Sequence, residues 1–431
     1  MRAAIVAIPL LALVAPLAIA GSPSDVRIDI RSDVVRKIRL HEEAFHASGD
    51  HGPQIPGAQA DEVMANDLDA SAVFTVTRGW NGLQPIEVQA IVGGEWNVSN
   101  GQIKLTGQVW DFPARHAILS REYKGPIADW RSVVHRFADD VVLQFTGEAG
   151  VAGTRIAFVG RQGNSGKELY VMDADGARIQ PMTADKSIAL SPSWAPDGSL
   201  ILFTSYREGH GPRLYVTPAN HGPIYLISGR PGNNTSASYS PDGREIACTL
   251  SQDGNPEIYV LDARGGSPHR LTDNRGIDTS PVWSPTGREI AFTSDRSGSP
   301  QVYVMDRDGG NVRRLTFDAS YTDSPAWSPK GDQIAFVSRT SDGFEIDVCK
   351  ADGSQLRHVV TGGSNENPHW SPDGRHLVFA SNRDGAYGVY VTDLDDQPPR
   401  RIPTGGVVAS SPAWSPRANE NRAAGSADRS P

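Results

Sequence analysis

The chain has 431 residues, 44 of them glycine and 31 proline, and a formal net charge of -9 at pH 7. That density of turn formers favours many short elements over long helices, and the length accommodates two domains. The negative charge argues against a nucleic-acid partner and leaves a protein or a cation admissible.

The first twenty residues, "MRAAIVAIPLLALVAPLAIA", carry Arg2, an apolar run and then Ala18-Ile19-Ala20. Small residues at the -3 and -1 positions suit signal peptidase, so residues 1–20 are read as an export signal cleaved before Gly21. Pro9 and Pro16 interrupt the run, which barely reaches the ~20 residues a span needs. No direct membrane insertion is therefore expected after cleavage. The two cysteines, Cys248 and Cys349, sit in apolar strand patterns and are expected to be buried, unpaired thiols.

Residues 21–150 do not repeat and predict an α/β domain. The stretch 41–60 reads as loop, and a helix is expected over about 61–72 through Val63, Met64 and Leu68. Residues 88–98, 102–111 and 116–123 read as a three-stranded antiparallel meander, with Asn100-Gly101 in the first turn. Asp129 is an N-cap candidate for a second helix, in which Trp130, Val133, Val134, Phe137, Val141 and Phe145 share a face and Gly147 stops the run. In "HEEAFH" (41–46) the histidines stand five apart, about 140° round a helix, so the zinc-helix spacing is not met.

Residues 151–416 repeat. The aromatic anchors Trp194, Tyr239, Trp283, Trp327, Trp370 and Trp414 are separated by 45, 44, 44, 43 and 44 residues, a propeller-blade period. Each unit reads as four strands: "SPxW", a segment such as "EIAFTS", one such as "QVYVMD" and one such as "VRRLT". Residues 154–183 hold strands two to four without a first, and "SPAWS" around Trp414 is a first strand without the others. Joined, they complete a sixth blade and leave no open edge. The fold class is thus an α/β N-terminal domain followed by an all-β six-bladed propeller closed by the C-terminal strand. The anchors are expected to pack blade on blade, and Arg207, Arg296, Arg339 and Arg383 to pair with neighbouring loops. The polar residues 417–431 predict a tail without a fold.

No Gly-x-Ser-x-Gly elbow, phosphate-binding loop or cysteine-rich metal spacing occurs. The sequence therefore predicts no catalytic residue, cofactor or metal site, and a monomer is expected.

Three further stretches sharpen this: "VRIDI" (26–30), "MANDLDASAVF" (64–74) and "HRFADDVVLQFTGEAGVAGTRIAFV" (135–159). With the "SPxWSPDGxxIxF" units, they make the chain resemble the TolB family, the periplasmic component of the Tol–Pal envelope system of Gram-negative bacteria. The resemblance implies a periplasmic, non-enzymatic scaffold linking two partners for outer-membrane integrity and constriction at division. It implies binding of the peptidoglycan-associated lipoprotein Pal at one mouth of the propeller, a site colicins also use. It further implies engagement of the inner-membrane protein TolA by residues 21–32, with Val26, Arg27, Ile28, Asp29 and Ile30 at its centre. That segment is expected to switch between the domain junction and an extended state.

In such a propeller the loops joining strand four to the next strand one share a face with those joining strands two and three, opposite the tight turns. The first set (229–238, 273–281, 317–325 and 362–368) is long and polar, suited to hydrogen-bonding a partner. The resemblance puts Asn233, Asn234, Thr279 and Ser280 first as Pal contacts. Arg230, Thr235, Asp278, Asp323, Asn365 and Glu366 accompany them on that face. The match is looser over 34–60, Tyr239 replaces one blade tryptophan, and Asp347 replaces the usual tyrosine. Two alternatives stay open: a periplasmic paralogue binding a small ligand, and an oligogalacturonate-lyase-like enzyme, which would need a metal and converging histidines.

Overall fold

The computed structural model describes residues 37–47, 57–79, 87–163, 166–394 and 397–417. The export signal, the expected TolA-binding residues Val26 to Ile30 and residues 418–431 lie outside the described residues.

The N-terminal domain runs β1 (Ile38–Glu42), β2 (His46–Ala47), α1 (Gly57–Ala70), β3 (Phe74–Arg78), β4 (Ala90–Ser99), β5 (Gln102–Asp111), β6 (His116–Pro126) and α2 (Trp130–Thr146). The predicted meander is present as β4-β5-β6, joined through Ser99↔Gln102 and Asp111↔His116. It belongs to a larger mixed sheet in the order β3-β1-β4-β5-β6, with β2 paired to β4. Three expectations are corrected here. Part of 41–60, read as loop, is strand: β1 ends at Glu42 and pairs in parallel with both β3 and β4. Strand β3 itself was not anticipated. The first helix begins earlier than expected, at Gly57.

Strand β1 hid because "IRLHE" is not apolar, although a doubly flanked parallel strand normally is. His41 and Glu42 are buried with Leu40. Glu42 Oε2 accepts from Arg78 Nε at 2.8 Å, and burial still pushes its carboxyl up to about 7 against the pull of that guanidinium.

Both helices cover one face of the sheet, where Leu40, Phe74, Leu105, Val109, Met64, Leu68, Val134 and Phe137 form a single core. Gly107 permits the closest approach, because a Cβ there would lie 2.6 Å from the Phe137 ring. Helix α2 ends as expected, with Gly147 left-handed (φ 75°) and its N–H donating to Leu143 O at 2.8 Å. Asp129 occupies the N-cap position but does not cap the backbone. Its carboxylate instead accepts from Ser132 Oγ at 2.7 Å and pairs with Arg178 of the propeller.

The propeller follows the sequence closely. Blades 2 to 6 are four-stranded antiparallel sheets whose first strands are Ala189–Trp194, Asn234–Tyr239, Asp278–Trp283, Thr322–Trp327 and Asn365–Trp370. Blade 1 is assembled from both ends of the repeat region. Val408–Trp414 pairs with Arg155–Arg161, which continues to Glu168–Asp173 and Gln180–Pro181. The anchors are packing residues: Trp194, Trp283, Trp327, Trp370 and Trp414 are all buried. Two of them stitch blades together, Trp194 Nε1 donating to Ala413 O at 2.9 Å and Trp370 Nε1 to Ala326 O at 3.0 Å. Both cysteines are buried and unpaired, and burial pushes each thiol up to about 12.

A feature absent from the reading of the sequence recurs in each first strand. Ser191, Ser236, Ser280, Ser324, Asn367 and Ser411, each three residues before the anchor, have φ between 47° and 54°. Each sits where the pairing register shifts by one residue, for example between Thr279 and Val282. A bulge with an extra residue is what lets the strand bend there and re-aim its side chains.

Candidate partner-binding face

The N-terminal domain occupies one face of the propeller. Arg131 of α2 pairs with Asp175 and Asp129 with Arg178, both in the turn between strands three and four of blade 1. Lys37 approaches Asp393 of blade 6 at 3.8 Å. Glu148, just beyond α2, has Lys330, Arg375 and Arg417 each within 3.7 Å, the first two from tight turns of blades 5 and 6. The N-terminal domain thus sits on the tight-turn face, and the long loops point the other way.

On that long-loop face the residue preceding each first strand forms a ring: Ile188, Asn233, Ile277, Tyr321, Ser364 and Val408, the last opening its own strand. Ile188 (43%), Ile277 (48%) and Val408 (39%) are exposed, as is Asn233. Tyr206 lies beside Ile188, its N–H donating to Ile188 O at 3.1 Å. Exposed aliphatic and aromatic side chains on one face, among polar loops, have the make-up of a protein-contact surface.

One step inward, Thr235, Thr279, Asp323 and Glu366 hold equivalent places on successive blades and are half-buried, as are Ser236, Ser280 and Ser324. Asp323 accepts from Thr293 Oγ1 at 2.7 Å and from Tyr321 OH at 3.1 Å, and Glu366 accepts from Tyr387 OH at 2.5 Å. Two carboxylates on adjacent blades give the rim an acidic side. Burial raises the Tyr321 phenol to about 12, with Asp323 adding to the effect.

The expected contact residues divide into two sets. Asn233, Thr235, Thr279, Ser280, Asp323 and Glu366 reach the surface or rim. Asn234, Asp278 and Asn365 do not, which corrects their expected role: each is wholly buried. Asn234 accepts from Ser228 Oγ and Arg230 N and donates to Arg230 O at 2.8 Å. Asp278 accepts from Arg296 at 2.7 Å and Asn274 at 2.8 Å, and Asn365 from Arg383 at 2.9 Å. Burying such groups is tolerable only when their partners are supplied, so these three shape the loops. Arg230 is half-buried and likewise turned inward, donating to Ser228 Oγ and Gly265 O at 2.9 Å each. The recurring arginines have the structural role expected of them at Arg207, Arg296 and Arg383, which also lie over Tyr215, Tyr303 and Tyr390. Arg339 is exposed.

A concavity of about 680 Å³ lies at the junction of the domains, lined by Asp67, Asp139, Asp175, Arg131, Arg400 and Arg401 among others. Beside it, His135 Nδ1 and Asp67 Oδ2 are 2.6 Å apart, both buried. Burial alone would lower the imidazole, but Asp67, Asp175 and Asp173 outweigh it and hold His135 raised. Burial pushes the Asp139 carboxyl up to about 7, although Gly153 and Ala152 donate backbone N–H groups to it. Asp67, His135 and Asp175 lie close enough to share a metal ion, but Arg131 already supplies the positive charge at Asp175.

The profile of the TolB beta propeller domain matches residues 142–418, well over half of the chain. The chain belongs to the TolB β-propeller family. Among solved structures, TolB from Acinetobacter baumannii superposes with a TM-score of 0.79 at 26% identity, over 89% of this chain and 97% of that one. The TolB likeness therefore extends across the N-terminal domain as well. Among curated relatives, the Tol-Pal system protein TolB of Jannaschia sp. is 33% identical over 209 residues, which are 44% of this chain and 46% of the relative. The TolB homolog of Chlorobium chlorochromatii is 36% identical over 217 residues, 47% of this chain and 48% of the relative. The chain thus spans about half the length of the curated relatives it matches. Among the described residues no helix is long and apolar enough to cross a membrane.

Proposed function

We propose that the protein is a non-enzymatic periplasmic scaffold of a Tol–Pal type envelope system. Its long-loop face binds a Pal-like peptidoglycan-associated lipoprotein, and residues 26–30 engage a TolA-like inner-membrane partner. The observation that carries the first assignment is the division of the propeller's faces: the N-terminal domain covers the tight turns, while the opposite face exposes Ile188, Ile277 and Val408 around a partly acidic rim. The named relatives support the system, and the whole-length likeness to TolB supports the role.

The contact set is Asn233, Thr235, Thr279, Ser280, Asp323 and Glu366, supported by Asn234, Asp278 and Asn365 beneath. Calorimetric titration with the soluble domain of the Pal-like lipoprotein from the same organism tests this. One-to-one binding weakened about tenfold by Thr279→Ala, roughly 1.4 kcal/mol, would support the face assignment. A folded sample that shows no heat would remove Pal as the partner and favour the small-ligand paralogue.

A further inference from the structure

We propose that Glu345, Asp347 and His358 on the outer half of blade 5 bind a divalent transition-metal ion of the zinc class. Internal comparison of the blades exposes the site. Tyr170, Tyr215, Tyr259, Tyr303 and Tyr390 hold the same place in the third strands of the other five blades. In three of them the residue opposite on the outermost strand is arginine: Tyr259↔Arg270, Tyr303↔Arg314 and Tyr390↔Arg401. In blade 5 both members change, to Asp347↔His358. A guanidinium repels a cation and a phenol ligates one only after losing its proton; a carboxylate and an imidazole are ordinary ligands of zinc.

The third donor is displaced from its usual partner. Glu168 and Glu257, which match Glu345 in blades 1 and 3, accept from the hydroxyls of Thr183 and Thr272. In blade 5 the matching residue is Val360, which has no hydroxyl to give. Glu345 Oε2 lies 3.8 Å from His358 Nδ1, and Asp347 Oδ1 lies 2.8 Å from the same nitrogen. Tetrahedral zinc with bonds of about 2.1 Å needs donors about 3.4 Å apart, so the two separations straddle the required value. Small side-chain rotations suffice.

The surroundings suit a ligand set. Ser338 Oγ donates to Asp347 Oδ2 at 2.6 Å, leaving Oδ1 for the ion, the type of outer contact that orients a ligating carboxylate. The Asp347 side chain is 2% exposed and that of His358 is 62% exposed, so the site is anchored inside and open outside. Entry is from solvent, and water completes the coordination. Among the described residues Glu345 and Asp347 form ion pairs only with His358, so with a neutral imidazole two negative charges, one of them buried, stand without a cation that a dication would supply. The junction cluster of Asp67, His135 and Asp175 differs on this point, since a cation there would face the Arg131 guanidinium.

The test is titration of the tag-free protein, stripped with chelator, with Zn²⁺ by calorimetry. One saturable site is expected. The double substitution Asp347→Tyr with His358→Arg, which installs the pair carried by blades 3, 4 and 6, should weaken it at least ~100-fold. Ser338→Ala should weaken it about tenfold, as loss of an outer-shell partner does. His358→Gln, at an exposed edge position, repeats the test should the double variant not fold. No saturable binding, or binding unchanged in either folded variant, overturns the proposal.

Discussion

The propeller solves the same problem six times, once in each blade, packing an aromatic anchor against the preceding blade and bending the inner strand at a left-handed residue. The N-terminal domain solves its problem once, with one core between two helices and a mixed sheet. A fault in the propeller is therefore shared round a closed ring, and closure concentrates the risk at one joint. In the N-terminal domain the risk lies wherever two elements approach most closely. The difference can be broken or sharpened by experiment.

The largest effect is expected at the joint. Removing Val408 and everything after it takes away the inner strand of blade 1 and should abolish cooperative folding of the propeller, read by circular dichroism and aggregation. Trp414→Ala should cost about 3–5 kcal/mol in chemical denaturation, because the indole is buried and donates to Thr154 Oγ1 at 2.7 Å. Next comes the tightest contact of the other domain. Gly107→Ala drives a methyl into the Phe137 ring and should cost about 1–3 kcal/mol by the same assay. An unchanged midpoint would mean that α2 is free to shift off the sheet.

The junction should respond to pH. Asp139 and His135 both have folded pKa values raised above those of the unfolded chain. The folded state then binds protons more tightly. The Asp139 contribution is present below its unfolded value of 3.8 and lost as pH rises through about 7. The His135 contribution is fully present below 6.5 and lost as pH rises through its raised folded value. Resistance to denaturant should fall as pH rises from about 4 through about 7 and, through His135, beyond it; Asp139→Asn should flatten the part of the fall below pH 7, by at least about 1 kcal/mol, the scale of one pKa unit. A parallel pH profile in that variant would rule Asp139 out as the source.

A last pair, which ends on the smallest effect of all, separates a loop anchor from a surface contact. Asn234→Ala strands several buried partners and should destabilise by about 1–3 kcal/mol. Asn233→Ala should change stability by less than about 0.5 kcal/mol, and its effect should appear in Pal titration instead.

Repetition explains why the propeller was legible. With six copies, an irregular one such as Tyr239 or Asp347 does not obscure the period. Strand β1 had no such support, because Arg39, His41 and Glu42 broke the apolar pattern and only the sheet explains the burial of His41 and Glu42. The loop residues failed differently. Asn233 and Asn234 are neighbours of the same type, yet one is exposed and the other wholly buried. For Asp278 and Asn365 the available signal was the arginine two residues beyond the second strand, Arg296 or Arg383, whose partner is the first residue of the same blade; blade 3 has no such arginine to mark Asn234. Asp347 was visible as an irregularity. Its meaning required seeing His358 across the strand.

The joint also fixes an order of events. Arg155–Arg161 leaves the ribosome some 250 residues before its partner Val408–Trp414, a separation set by the pairing of Ile156 with Trp414. Until then the nascent blade 1 offers a bare flank of amide and carbonyl groups, the condition in which large β-proteins stray into aggregates. A chain with this architecture carries that edge unpaired until Val408–Trp414 has been made.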